Sequence, residues 1–172
     1  ANHLVEFSDL NEIWLVVTPH NPHKQKNTLL NDYHRLEMVR LATEDYSKLK
    51  PSNVEFNLPQ PNYTVDTLIH LEEKYPKHEF SLIMGEDNLN SFHKWKNYEV
   101  ILKRHDIYVY PRIAGDNEEN QLVNHPKVYK IDAPVVEVSS TFIRNSIKEK
   151  KNIRPMLPEK VWEYIDRNMF YF

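Results

Sequence analysis

The sequence predicts an α/β fold, a doubly wound parallel sheet with helices on both faces. Two observations carry this prediction: short, densely apolar runs of strand length recur along the chain, and amphipathic stretches of helical period separate them. Strands that alternate with helices are joined by right-handed crossovers and so lie parallel. A third observation bounds the size. With 172 residues, 40% of them apolar, and only 2 Gly and 11 Pro, the chain suits one packed domain over residues 1–172.

The elements follow in order. Ala1 to Phe7 reads as the second half of a helix, with neither an initiator Met nor a cap. Glu12 to Thr18 carries Ile13, Trp14, Leu15, Val16 and Val17 before Pro19 and reads as a strand buried on both faces. Val54 to Phe56, Glu79 to Met84, Asp106 to Tyr110 and Lys127 to Ile131 read as further strands. Helical patterns lie between them, with Leu36, Val39, Ala42 and Tyr46 in one, Val65, Leu68 and Ile69 in the next, and Tyr98 to Leu102 in a third. Ser139 to Lys148 opens on hydroxyl capping residues, and Pro158 to Asn168 opens on a proline suited to a first helical turn.

In the commonest doubly wound order, 3-2-1-4-5-6, the first strand lies between strands two and four. Here the first strand follows a helix, so it counts as strand two. Without strand one, unpaired backbone groups would be buried in mid-sheet, and an upstream strand, turn and half helix is therefore expected.

Composition removes several function classes. A net charge of -3 offers no basic excess for nucleic acid. The absence of cysteine rules out disulfides and thiolate metal sites and fits a reducing, cytoplasmic setting. No apolar run reaches the roughly 20 residues that a membrane helix needs.

Open parallel sheets bind ligands at the carboxyl ends of their strands, which directs attention to four stretches. Thr18 to Lys26 carries His20, His23, Lys24 and Lys26; Lys24 can neutralise a phosphate and His20 is a candidate for substrate contact, while the plain alternative is a solvated loop. Asn62 to Thr67 opens a helix, where Thr64 is either a cap or a ligand contact. Gly85, directly after a strand, allows close approach of a ring or ribose, and Asp87 can meet a ribose or adenine edge. Trp95 offers a stacking face between Lys94 and Lys96, which can hold an anion; the alternative is a turn glycine and a core tryptophan. Ser139, Ser140 and Thr141 at a helix start, with Arg144 one turn in, form an anion cradle or an ordinary cap beside an exposed arginine.

Pro22-His23-Lys24, His34-Arg35-Leu36, Tyr63-Thr64-Val65-Asp66-Thr67, Gly85-Glu86-Asp87-Asn88-Leu89 with Trp95, and Ser139-Ser140-Thr141 with Arg144 occur in this order. Together they resemble the bacterial nicotinate-nucleotide adenylyltransferases of the nucleotidyltransferase superfamily, over almost the whole chain. The resemblance implies the Rossmann-like 3-2-1-4-5-6 sheet and an upstream His-x-Gly-His motif, for which His3 falls too late.

It further implies that Gly85 and Asp87 line the site between adenosine and the pyridine nucleotide and bind ATP, that Trp95 stacks on the pyridine ring, and that Thr64 lies near the nicotinate end. Ser139, Ser140, Thr141 and Arg144 are implied to hold ATP phosphates. Lys24 is implied to face a phosphate, as is Arg112. The implied reaction is adenylyl transfer from ATP to nicotinate mononucleotide, with Mg2+ shared among the phosphates and no covalent intermediate. Deamido-NAD and pyrophosphate are the products, a step of NAD biosynthesis. A related transferase with another phosphorylated acceptor and a non-catalytic nucleotide-binding domain are the alternatives, and a homo-oligomer is left open.

Overall fold

The computed structural model describes residues 1–22, 29–111 and 121–172. The chain divides into two compact units.

The first unit comprises Ala1–Val17, Leu30–Asn53 and Val136–Phe172. Its elements are α1 (Asn2–Phe7), β1 (Ile13–Val16), α2 (Asp32–Thr43), β2 (Leu49–Ser52), α6 (Ser140–Lys148) and α7 (Glu159–Arg167). Strands β1 and β2 pair in parallel, with Ile13 opposite Leu49 and Leu15 opposite Pro51. Asn31 caps α2 by accepting a hydrogen bond from the Tyr33 amide at 2.9 Å, and α2 packs on β2 and α7. The apolar stripe of α6 (Ile143, Ile147) meets that of α7 (Val161, Ile165) and Ile153, and Met38, Leu41 and Ala42 of α2 cover the cluster.

One strand differs from its sequence prediction. Val54 to Phe56 is a short 3-10 helix, Val54–Asn57, and the strand lies just upstream at Leu49–Ser52. The reason is physical: β2 reads Leu-Lys-Pro-Ser, which carries little apolar pattern and a proline that periodicity counts against a strand. The Ile13 and Val17 amides donate to the Lys48 and Ser52 carbonyls, so even-numbered β2 residues turn toward β1. Pro51 therefore takes an outward register, where its missing N–H breaks no ladder bond. Within this turn Glu55 is buried and Val54 and Phe56 are only partly so.

The second unit comprises Thr18–Leu29 and Val54–Val135. It holds α3 (Thr64–Lys74), β3 (Leu82–Gly85), α4 (Glu86–Ser91), α5 (Tyr98–Arg104), β4 (Ile107–Tyr110) and β5 (Val128–Lys130). The three strands are parallel in the order β3-β4-β5, with Gly85 opposite Tyr110. Ile107 and Val109 fill the middle of this sheet, and Val65, Leu68, Leu89, Phe92 and Ile101 pack with them. Among the described residues the strands thus form two parallel runs, β1-β2 in the first unit and β3-β4-β5 in the second. The α/β parallel architecture is as the sequence predicts.

Candidate active site

In the second unit, Asn21, Pro22, Asn62, Tyr63, Thr64, Trp95 and Lys96 line a small open pocket of about 40 Å³. Three of the sequence candidates, Thr64, Trp95 and Lys96, thus come together. Thr64 is the first residue of α3 and not its cap, because Tyr63 takes the cap position with extended backbone and no side-chain bond. The Tyr63 carbonyl accepts from the Asp66 and Thr67 amides at 3.0 and 3.1 Å, which leaves the Thr64 and Val65 amides ahead of the helical ladder. That end of α3 carries partial positive charge.

Trp95 combines both of its readings. Its ring meets Phe92 edge-on, with centroids 5.4 Å apart, so the core anchors the indole while it lines the pocket. Lys96 is steered from two sides: its Nζ lies 4.5 Å from the centre of the Tyr63 ring and donates to Asp66 Oδ2 at 2.9 Å. His20 does not line the pocket. Its main chain is clipped to Asn62, with the His20 amide donating to Asn62 Oδ1 at 3.1 Å and the His20 carbonyl accepting from the Asn62 amide at 2.9 Å.

Gly85 ends β3 and precedes α4 with φ -81 and ψ 160, a conformation open to any residue. Only its lack of a side chain can matter there, for close approach of another group. Asp87 lies exposed in the first turn of α4, where its charge complements the helix end. Lys24 and Arg112 lie outside the described residues.

In the first unit, Ser139, Ser140, Thr141 and Arg144 gather on the first turn of α6. Ser139 Oγ accepts from the Phe142 amide at 3.1 Å, the capping reading, and Arg144 Nη2 donates to Thr141 Oγ1 at 3.1 Å. Ser140 and Thr141 remain exposed and Arg144 is half-buried. Burial pushes the Tyr171 phenol above its ordinary range, and the guanidinium groups of Arg144 and Arg35 partly offset this. Both cations therefore act at one phenol. Arg35 itself is held by the Leu30 carbonyl at 3.1 Å and Asp32 Oδ1 at 2.5 Å.

Sequence reasoning missed Glu55 and gave no role to Asn62, Arg35 or Tyr171. Asn62 stands at the start of the Asn62 to Thr67 stretch; nothing in the local pattern marks Glu55.

A cytidylyltransferase-like family model matches residues 3–146. A protein of Flavobacterium johnsoniae, named "probable nicotinate-nucleotide adenylyltransferase", is 71% identical over 171 residues, covering 99% of this chain and 89% of the relative. The chain belongs to the cytidylyltransferase-like family, on its nicotinate-nucleotide adenylyltransferase branch. A relative of the same name from Bacteroides thetaiotaomicron is 44% identical over 96% of this cytidylyltransferase-like chain and 81% of its own length. Among solved structures, Plasmodium falciparum nicotinic acid mononucleotide adenylyltransferase complexed with NaAD superposes with a TM-score of 0.78 at 22% identity, over 98% of this chain and 87% of that one. A Vibrio parahaemolyticus structure named "putative nicotinate-nucleotide adenylyltransferase" gives 0.67 at 21% identity, over 96% and 82%. At such identities these likenesses establish that the cytidylyltransferase-like chain shares their fold. Among the described residues, no helix is long and apolar enough to cross a membrane.

Proposed function

We propose that this chain transfers the adenylyl group of ATP to nicotinate mononucleotide, releasing pyrophosphate and deamido-NAD. The observation that carries this reading is the pocket of Tyr63, Thr64, Trp95 and Lys96. It combines an indole for a flat heteroaromatic ring with two sources of positive potential for an acidic substituent, the Lys96 ammonium and the uncapped start of α3. The relatives carrying the nicotinate-nucleotide name support the same substrate.

In the proposed reaction a 5'-phosphate oxygen of the mononucleotide attacks the α-phosphorus of ATP. The new P–O bond forms as the α–β anhydride bond breaks, and pyrophosphate leaves with the electron pair. Phosphate oxygens are nucleophiles already, so the protein's task is to hold two anions in line and neutralise charge that builds on the leaving group. Ser140, Thr141 and Arg144 are assigned to the ATP phosphates, with Ser139 ordering their turn and Arg144 offering a forked donor. Gly85 and Asp87 are assigned to the adenosine side, and Lys24 and Arg112 to phosphate contacts.

Among the described residues, no three carboxylate or imidazole side chains converge to hold a metal. The donors of α6 suit phosphate oxygens, which fits Mg2+ entering with ATP. When bound, the ion supplies charge neutralisation on the triphosphate. The residues of this chain meet the oxygens left over.

Pyrophosphate release on mixing ATP with nicotinate mononucleotide tests the reading. Turnover with the nicotinate form and at least about tenfold lower kcat/KM with the nicotinamide form is expected. Equal use of an acceptor lacking the pyridine ring would overturn it.

A further inference from the structure

Glu55 is the one carboxylate among the described residues with a buried oxygen lacking a hydrogen-bond partner. The residue is 6% exposed, and its Oε2 meets no donor, while Oε1 accepts from Thr67 Oγ1 at 2.7 Å. A half-satisfied buried carboxylate opposes folding, so its retention at this place asks for a compensating role. The neighbours supply one. The Glu55 carbonyl accepts from Asn62 Nδ2 at 3.3 Å, and Asn62 Oδ1 accepts from the His20 amide at 3.1 Å. Asn62 and Thr67, buried at 6% and 5%, bracket the Asn62-Tyr63-Thr64 wall of the pocket, with Thr67 in the opening turn of α3. Glu55 thus grips both ends of that wall, one through its side chain and one through its backbone.

We propose that Glu55 is a positioning residue that sets the Asn62–Thr64 wall in the shape that receives the pyridine nucleotide. It touches neither nucleotide. This rests on the pyridine reading of the pocket, and it extends that reading to a residue outside the pocket.

The test uses the full chain with Glu55→Ala, Thr67→Val and Thr67→Ser, and steady-state kinetics against each substrate separately. Glu55→Ala and Thr67→Val are expected to raise KM for nicotinate mononucleotide about tenfold, with KM for ATP within about twofold and kcat within about threefold. Thr67→Ser keeps the hydroxyl and is expected to stay near the parent. Amide hydrogen exchange without substrate gives an independent readout: exchange at Asn62 and Thr67 is expected to quicken about tenfold in Glu55→Ala. Equal rises in both KM values, or a lower melting temperature with unchanged KM and exchange, overturns the proposal. If the parent chain fails to use nicotinate mononucleotide, the functional reading falls by itself. The exchange arm then decides whether Glu55 holds the wall.

Discussion

The Lys96 ammonium lies 4.5 Å from the centre of the Tyr63 ring, at the mouth of the pocket that Trp95 also lines. The Asp66 carboxylate pairs with the same ammonium at 2.9 Å, but the pair is solvent-exposed and weak, so part of the positive charge stays available beside the pocket. Lys96→Met is therefore expected to raise KM for nicotinate mononucleotide about fivefold, more at low salt than at high salt. Trp95→Ala removes the stacking face and is expected to lower kcat/KM by roughly ten- to hundredfold. Steady-state kinetics at two ionic strengths measures both, and a salt-independent Lys96→Met effect counts against an electrostatic role.

Gly85 occupies a backbone conformation that alanine adopts freely. Gly85→Ala is thus expected to melt within about 4 °C of the parent, a shift on the order of 1 kcal/mol or less, while kcat/KM for ATP falls at least about tenfold. Thermal scans and ATP titrations run side by side separate the two effects. A large stability loss with intact ATP kinetics shows the added methyl clashing with the core instead.

Arg144→Ala is expected to slow pyrophosphate release by about 100-fold or more, the scale for removing a donor aimed at developing charge. Arg144→Lys should recover only part of that rate, because an ammonium lacks the fork that reaches Thr141 and a phosphate together. Single-turnover mixing with saturating ATP reads the chemical step, and an unchanged rate removes the first turn of α6 from the mechanism.

Three glutamates of the first unit are ion-paired, Glu37 within α2, Glu44 from the end of α2 to α7, and Glu159 from α7 to the turn before it. Arg40 holds the Glu37 carboxyl below its usual range, Lys160 does so for Glu44, and Arg154 for Glu159. A carboxylate lowered in the folded state adds stability that is complete above its unfolded value and is lost as pH falls through the folded one. All three are solvent-exposed, so the contribution is small and salt-screened. Melting temperature followed from about pH 6 down to about pH 3 should therefore fall less steeply in a Glu44→Gln, Glu159→Gln double variant than in the parent, with the difference shrinking in about 1 M salt. Identical slopes at low salt would exclude any linkage through these pairs.

Much of the architecture was legible because burial leaves a period in the chain. The strands ending at Val16, Gly85, Tyr110 and Lys130 are apolar enough to announce themselves, and Ser139 marks the start of α6 by the hydroxyl that caps it. β2 was missed because Leu49 is its one buried apolar residue in Leu49-Lys50-Pro51-Ser52, too little to show a period. Glu86 to Ser91 gave no helical signal because a six-residue helix has too few turns to show a stripe. At the site, Trp95 and Thr64 were legible as candidates for ligand contact beside the plainer readings of a core tryptophan and a helix cap, and the structure brings both to one pocket. Glu55 could not: its role depends on Thr67, twelve residues along the chain, and on Asn62, and no periodicity records such a pairing.

Pro51 has a bearing on how this protein behaves in crowded solution. Parallel strands recruit strangers by offering amides in a row, and β2 presents a gap in that row at the outward register of residue 51. A foreign segment docking there meets a carbonyl and a pyrrolidine ring where it needs a donor. The ring therefore discourages growth of aggregates from this margin, alongside the exposed ammonium of Lys50.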